Sequence, residues 1–274
     1  MESNENQIVD YQGMIIIHGD LYEFAKSGNG ISLYGDPSHK LTFQHLDKSW
    51  GSYSGGYSVQ KKDFVDVVDF LRNINKTLNT IIPVRIIDER EKLTEEDIRE
   101  YNELSLNRKH GYHYVDKGLS ERLNGTLPII DLYGKNYHVD IKNAQLIPAD
   151  GIKKSIQFNR CDLFEPSVIL YDISTHSQVK MNESQKQLYP NVVGVKFPAL
   201  QELDIIARAE MSGLPATSLL CAMPWRPDQT KIETIELSDV NITRLNLHNK
   251  KQQELEKKAG VLKDQKIRGV KRQK

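Results

Sequence analysis

Short apolar runs, each closed within a few positions by a turn residue, constrain this chain more than any other feature. Met14–Ile17, "ISLYG" (31–35) and "KLTFQHL" (40–46) are punctuated by Gly19-Asp20, Gly28-Asn29-Gly30 and Gly35-Asp36-Pro37. Further on, "LPIIDLY", "NYHVDIK", "SIQF", "SVILYDIS" and "VVGVKF" repeat the pattern. Runs of this length suit strands better than core helices. Strand follows strand, with few helical stretches between and no βαβ alternation. The expectation is an α+β fold of mainly antiparallel, short-stranded sheets with two or three packed helices.

Three stretches carry helical spacing. In 61–79, Phe64, Val67, Val68, Leu71, Ile74 and Leu78 recur at i, i+3/i+4, which predicts one long helix. Pro83 follows, and "VRII" (84–87) reads as a strand. "LTEEDIREYNELSL" (93–106) is a second helix, with Thr94 as N-cap and Asp97 at the capping-box position. In 197–213, Leu200, Leu203, Ile206 and Ala207 form a stripe that Gly213 and Pro215 stop. The charged stretch 105–126 reads as a linker. It divides a module over 12–122 from a β-rich module over 123–241, with a flexible or helical tail over 242–274.

Charge separates that tail from the rest. Residues 242–274 hold eleven Lys and Arg against three acids, a net of +8. The whole chain is neutral, so the preceding residues carry −8. Lys257, Lys258, Lys266, Arg268, Lys271 and Arg272 are the cations suited to a polyanion. In "SWGSYSGGYSVQKK" (49–62), Trp50, Tyr53 and Tyr57 interleave with glycines and could stack on bases. The alternative there is a hairpin whose aromatics pack on the next helix. Two cysteines sixty residues apart form no disulfide framework, and the N-terminus has no apolar leader pattern. No apolar run is long enough for a membrane span. A cytoplasmic setting is expected.

His18-Gly19-Asp20-Leu21 resembles the catalytic loop of aminoglycoside phosphotransferases and choline kinases. That loop needs an Asn five residues after its Asp, where this chain has Ala25, and an ATP-binding lobe before it. The plainer reading is a hairpin turning at Gly19-Asp20. Over 127–226, "LPIIDLYGKNYHVDIKNAQLIPADG", "SVILYDIS", "FPALQELDIIARAEMSGLP" and "MPWR" resemble a family of uncharacterised bacterial proteins often associated with mobile elements. That resemblance implies an accessory protein of a bacterial cytoplasm and brings no catalytic residues.

One constellation invites a chemical reading. A type II′ turn at Gly134-Lys135 sets Asp131 opposite His138, with Asp140 and Lys142 on the same face, a pair suited to acid/base work. The alternative is a solvated cross-strand ion pair. His110, His113 and Asp116 lack further ligands in sequence, so no metal site is expected, nor any cofactor. The sequence therefore favours a non-enzymatic accessory or binding protein. Its acidic body would meet a protein partner, and its basic tail nucleic acid or another acidic surface. A structural or oligomerisation module, or an enzyme using the His/Asp pair, are the alternatives.

Overall fold

A computed structural model describes residues 10–25, 30–41, 43–152, 154–179, 190–225 and 232–235. Every strand pairing among them is antiparallel, and five α-helices accompany the sheets, giving an α+β fold. The chain forms two compact units. One comprises Met1–Leu127 with Asp204–Arg226, the other Pro128–Leu203 with Pro227–Lys274. The division falls a few residues beyond the position expected near 122, and the segment from Asp204 belongs with the N-terminal unit.

In the first unit the strands are β1 (Ile15–Ile17), β2 (Asp20–Phe24), β3 (Ile31–Leu33), β4 (Asp36–Lys40), β5 (Asp47–Ser49), β6 (Ser52–Ser58), β7 (Asp63–Val65), β8 (Thr77–Pro83) and β9 (Tyr112–Tyr114). One sheet runs β4-β3-β2-β1-β9. In the other, β6 pairs along its whole length with β8, while β5 and β7 take its first and second halves. Pro37 sits in β4, an edge strand, where its missing N–H leaves no ladder bond unmade.

β1 explains its own sequence. Ile15 and Ile17 join a core drawn from both sheets, with Tyr22, Tyr57, Phe64 and Ile82. Ile16 faces the other way, into a second core with Val115, Leu119, Ile205, Ile206 and Leu220. A strand covered on both faces reads as an unbroken apolar run.

The helices depart from expectation in three places. Residues 61–79 are not one helix: β7 ends at Val65, α1 spans only Val67–Arg72, a 3-10 turn covers Ile74–Lys76, and β8 begins at Thr77. Pairing of Phe64 with Tyr57 and of Leu78 with Tyr57 draws both ends of the stretch into the sheet. Asp66 caps α1 by accepting from the Asp69 N–H at 2.8 Å. "VRII" is helical, within α2 (Val84–Asp88), because an apolar run this short fits either period. The supposed linker is core. It holds the end of α3 (Glu95–Arg108), all of β9 and α4 (Lys117–Leu123). The second predicted helix stands as read, and α3 has the full Thr94–Asp97 capping box. The last, α5 (Ile205–Met211), follows a 3-10 turn at Leu200–Glu202 and stops at Gly213, φ +72°.

A buried ion pair fastens α5 to α4. Arg122 Nε donates to both carboxylate oxygens of Asp204, at 3.1 and 2.9 Å, and Nη2 lies 2.9 Å from Oδ2. Asp204 also caps α5 through the Ala207 N–H. An Arg fork matches a carboxylate in this geometry, which a buried pair requires.

The second unit is two sheets. β10 (Ile129–Leu132), β11 (Lys135–Asp140), β12 (Gln145–Pro148) and β13 (Ile156–Gln157) pair in sequence order; β14 (Ser167–Asp172), β15 (Ser177–Gln178), β16 (Val192–Phe197) and β17 (Glu233–Ile235) pair as β15-β14-β16-β17. Burial alternates strictly along β10 and β14, with Ile130, Leu132, Ile169 and Tyr171 inside.

Candidate functional site

The turns decide which candidate residues can meet. The β1–β2 turn is His18-Gly19, not Gly19-Asp20, and the β10–β11 turn is Tyr133-Gly134, not Gly134-Lys135. In both, and at Trp50-Gly51 between β5 and β6, the first residue has φ near +50° and the glycine a larger positive φ. Two positive values define a type I′ turn, with glycine second; type II′ would place it first.

That correction dissolves the Asp131–His138 pair. Asp131 lies opposite Asn136 and accepts the Gly134 N–H at 3.0 Å, while His138 lies opposite Ile129 and Ile147. The face assignment survives, since Ile130, Leu132, Tyr137, Val139 and Ile141 are buried. Asp140 organises the next turn: it accepts from the Asn143 backbone N–H and side-chain amide and from Gln145. Burial acts to raise its pKa, but these bonds outweigh it and hold the carboxyl below its usual value. His138 Nδ1 is buried and has no hydrogen-bond partner among the described residues.

His18-Gly19-Asp20 heads a different cluster. Asp20 takes the Lys62 ammonium at 2.8 Å and accepts from Tyr57 OH at 2.9 Å. The Tyr57 and Tyr22 hydroxyls are 2.5 Å apart, and Tyr22 OH reaches the Lys62 carbonyl at 2.8 Å. The chain ends in an acceptor on either side, so its two hydroxyl protons can fill only two of the three contacts at a time. Burial pushes both phenols up in pKa. The His18 ring stacks on Tyr57 and bonds Thr80 Oγ1 at 2.8 Å. Burial lowers its pKa to about 4, against the Asn79 backbone bond and the Asp20 charge, which raise it. This network joins the two sheets of the first unit. The nearby Cys221 thiol is pushed up to about 12 by burial, far from a nucleophile's range.

The three aromatics proposed for base stacking part company. Trp50 is fully exposed at its turn. Tyr53 is half-buried, donates to Asp88 and carries Lys48 Nζ 5.0 Å over its ring. Tyr57 is in the core, so it has no face for a base; the reading of it as a contact residue is corrected. Lys257, Lys258, Lys266, Arg268, Lys271 and Arg272 lie outside the described residues. His113 is buried, and Asp116 caps α4 through the Leu119 N–H. No metal-binding group of His, Cys, Asp and Glu occurs among the described residues. No described helix is long and apolar enough to cross a membrane.

The surface feature that stands out is α1. Val67, Val68, Leu71, Ile74 and Leu78 are between 43% and 70% exposed. Helical spacing places the first three on one side of α1, and the equally exposed Ile74 follows in the 3-10 turn. These are five of the six residues whose spacing predicted a helix; the sixth, Phe64, is buried. Phe70 instead anchors the helix: a Cβ on Gly56 of β6 would lie 2.3 Å from its ring. Periodicity finds such a stripe but does not say whether the chain itself covers it.

Fold and surface define a two-unit α+β protein with an uncovered apolar helix face. Compared with protein-family models, curated proteins and solved structures, the chain matches none.

Proposed function

We propose that the chain is a non-enzymatic accessory protein of the cytoplasm, binding a protein partner through its acidic body and nucleic acid or another acidic surface through its basic tail. The uncovered face of Val67, Val68, Leu71 and Ile74 carries this reading. Apolar side chains grouped on one exposed face mark interaction surfaces more often than scattered ones do. The charge division, −8 against +8, supports a second contact of opposite character.

The same face also suits a second reading, a self-associating module. Sedimentation velocity of the purified full chain and of Val68→Asp/Leu71→Asp separates the two. Partner binding predicts a monomeric chain that captures a cell protein, with capture lost in the variant at unchanged Tm. Self-association abolished by the variant supports the oligomerisation module. A monomer whose captures ignore the substitutions overturns the assignment of this face.

A further inference from the structure

At the Phe24 end of β2 the first unit opens into a cleft of about 500 Å³, within the size range of small-molecule sites. Phe24, Ile31, Phe43 and Ile87 supply apolar wall, and Tyr53 closes one side. Gly30 borders the mouth, where nothing lies within 4 Å of the position its Cβ would take. The turn after α2, residues 88–92, forms the charged border.

Those charges are not equivalent. Asp88 is engaged by Lys48 Nζ at 2.8 Å and by Tyr53 OH at 3.1 Å. Glu89 has Lys92 at 3.7 Å. Asp88, Glu89, Glu91 and Lys92 are all exposed, where solvent and salt screen them. Arg90 alone of the five is half-buried, its guanidinium 4.7 Å above the centre of the Phe24 ring. Among the described residues its guanidinium meets that ring face and, by a long bond from Nη2, the Ala25 carbonyl at 3.4 Å. No carboxylate among the described residues forms an ion pair with it. A guanidinium stacked on an aromatic ring keeps in-plane N–H donors for a planar anion.

The geometry points to this cleft as a binding site for a small aromatic carboxylate. The ring would lie against Phe43, Ile31 and Ile87, and the carboxylate would take the Arg90 fork. Apolar burial supplies attraction without direction; the single half-buried cation fixes orientation and selects for one negative charge.

The test uses the full chain and three probes of one shape: 1-naphthoate, the neutral 1-naphthalenemethanol and the cationic 1-naphthylmethylammonium. Titration calorimetry gives affinity, and methyl NMR shifts locate the probe. The expected result is saturable naphthoate binding with a Kd below about 1 mM, shifting the Ile31 and Ile87 methyls rather than that of Ile74. Arg90→Gln is expected to weaken naphthoate by about tenfold or more and leave the alcohol unchanged, as loss of one charge-assisted contact requires. Three results would each overturn the assignment: no saturable naphthoate binding, equal affinity in Arg90→Gln, or a preference for the ammonium probe.

Discussion

Asn102 shows how single side chains complete this fold. Its amide oxygen accepts the Tyr114 N–H at 2.7 Å, and its nitrogen donates to the Tyr114 carbonyl at 2.9 Å. Ser105, one turn later on α3, accepts from the Tyr112 N–H and donates to the Tyr112 carbonyl. Two polar residues thus satisfy the edge of β9 that β1 does not pair, as buried backbone requires. Between them His113 is buried and neutral, its ring 3.4 Å from the Asn102 amide. Burial lowers its pKa to about 4. The unfolded chain, titrating near 6.5, binds the proton more readily in this window, so stability must fall as pH drops from about 6.5 to about 4 and lose nothing further from this group below that. The loss is roughly 3 kcal/mol for His113, and His18 acts in the same direction. Urea midpoints of the wild type and His113→Gln between pH 7.5 and 4 test this. The variant should show the shallower decline; parallel curves would mean that His113 titrates alike in the folded and the unfolded chain.

At the scale of elements, local signals were legible where one residue decides the geometry. Thr94 and Asp97 announce the start of α3, and Gly213 the end of α5. Two of the three hairpins were visible as apolar runs around glycines; the third turns at Trp50-Gly51 after β5, Asp47-Lys48-Ser49, which has no apolar residue. The registers of those two were not, because His18 and Tyr133 take the first turn position at positive φ, which is uncommon for any residue but glycine. One such residue moved the opposition of Asp131 from His138 to Asn136 and with it the candidate acid/base pair. The stretch 61–79 failed for a longer-range reason. Phe64 and Leu78 fit a helical stripe, yet both pair with Tyr57 across β6, a contact that sequence spacing cannot express. Gly56 makes room there for Phe70, and this packing can be measured. Gly56→Ala should cost about 1–3 kcal/mol by overpacking. In a Phe70→Ala background the same change should cost less, a coupling of about 0.5–3 kcal/mol by double-mutant cycle. An identical cost in both backgrounds would show that α1 is not seated on β6.

For the whole molecule, neutrality is an average over two opposite charges. A chain ending at Asn241 keeps only the net −8 and should repel nucleic acid, whereas the full chain presents eleven tail cations against three acids. If Lys257, Lys258, Lys266, Arg268, Lys271 and Arg272 each neutralise one phosphate, the logarithm of affinity should fall against that of salt with a slope of about −4 for single strands and about −5 for duplex. Raising salt from about 50 to about 200 mM would then weaken single-strand binding by roughly 300-fold. Docking of the tail on the acidic body leaves a different trace. Salt would first release the tail, so affinity would stay flat or rise at low salt before it falls. Fluorescence anisotropy with labelled single- and double-stranded DNA and RNA, on the full chain and the chain ending at Asn241, distinguishes these behaviours. A steep slope that vanishes with the tail supports a direct polyanion contact. A plateau indicates competition between the nucleic acid and the body for the same cations. Equal binding by both chains would move the contact to the body, where Trp50 is the exposed aromatic of the three proposed to stack on bases.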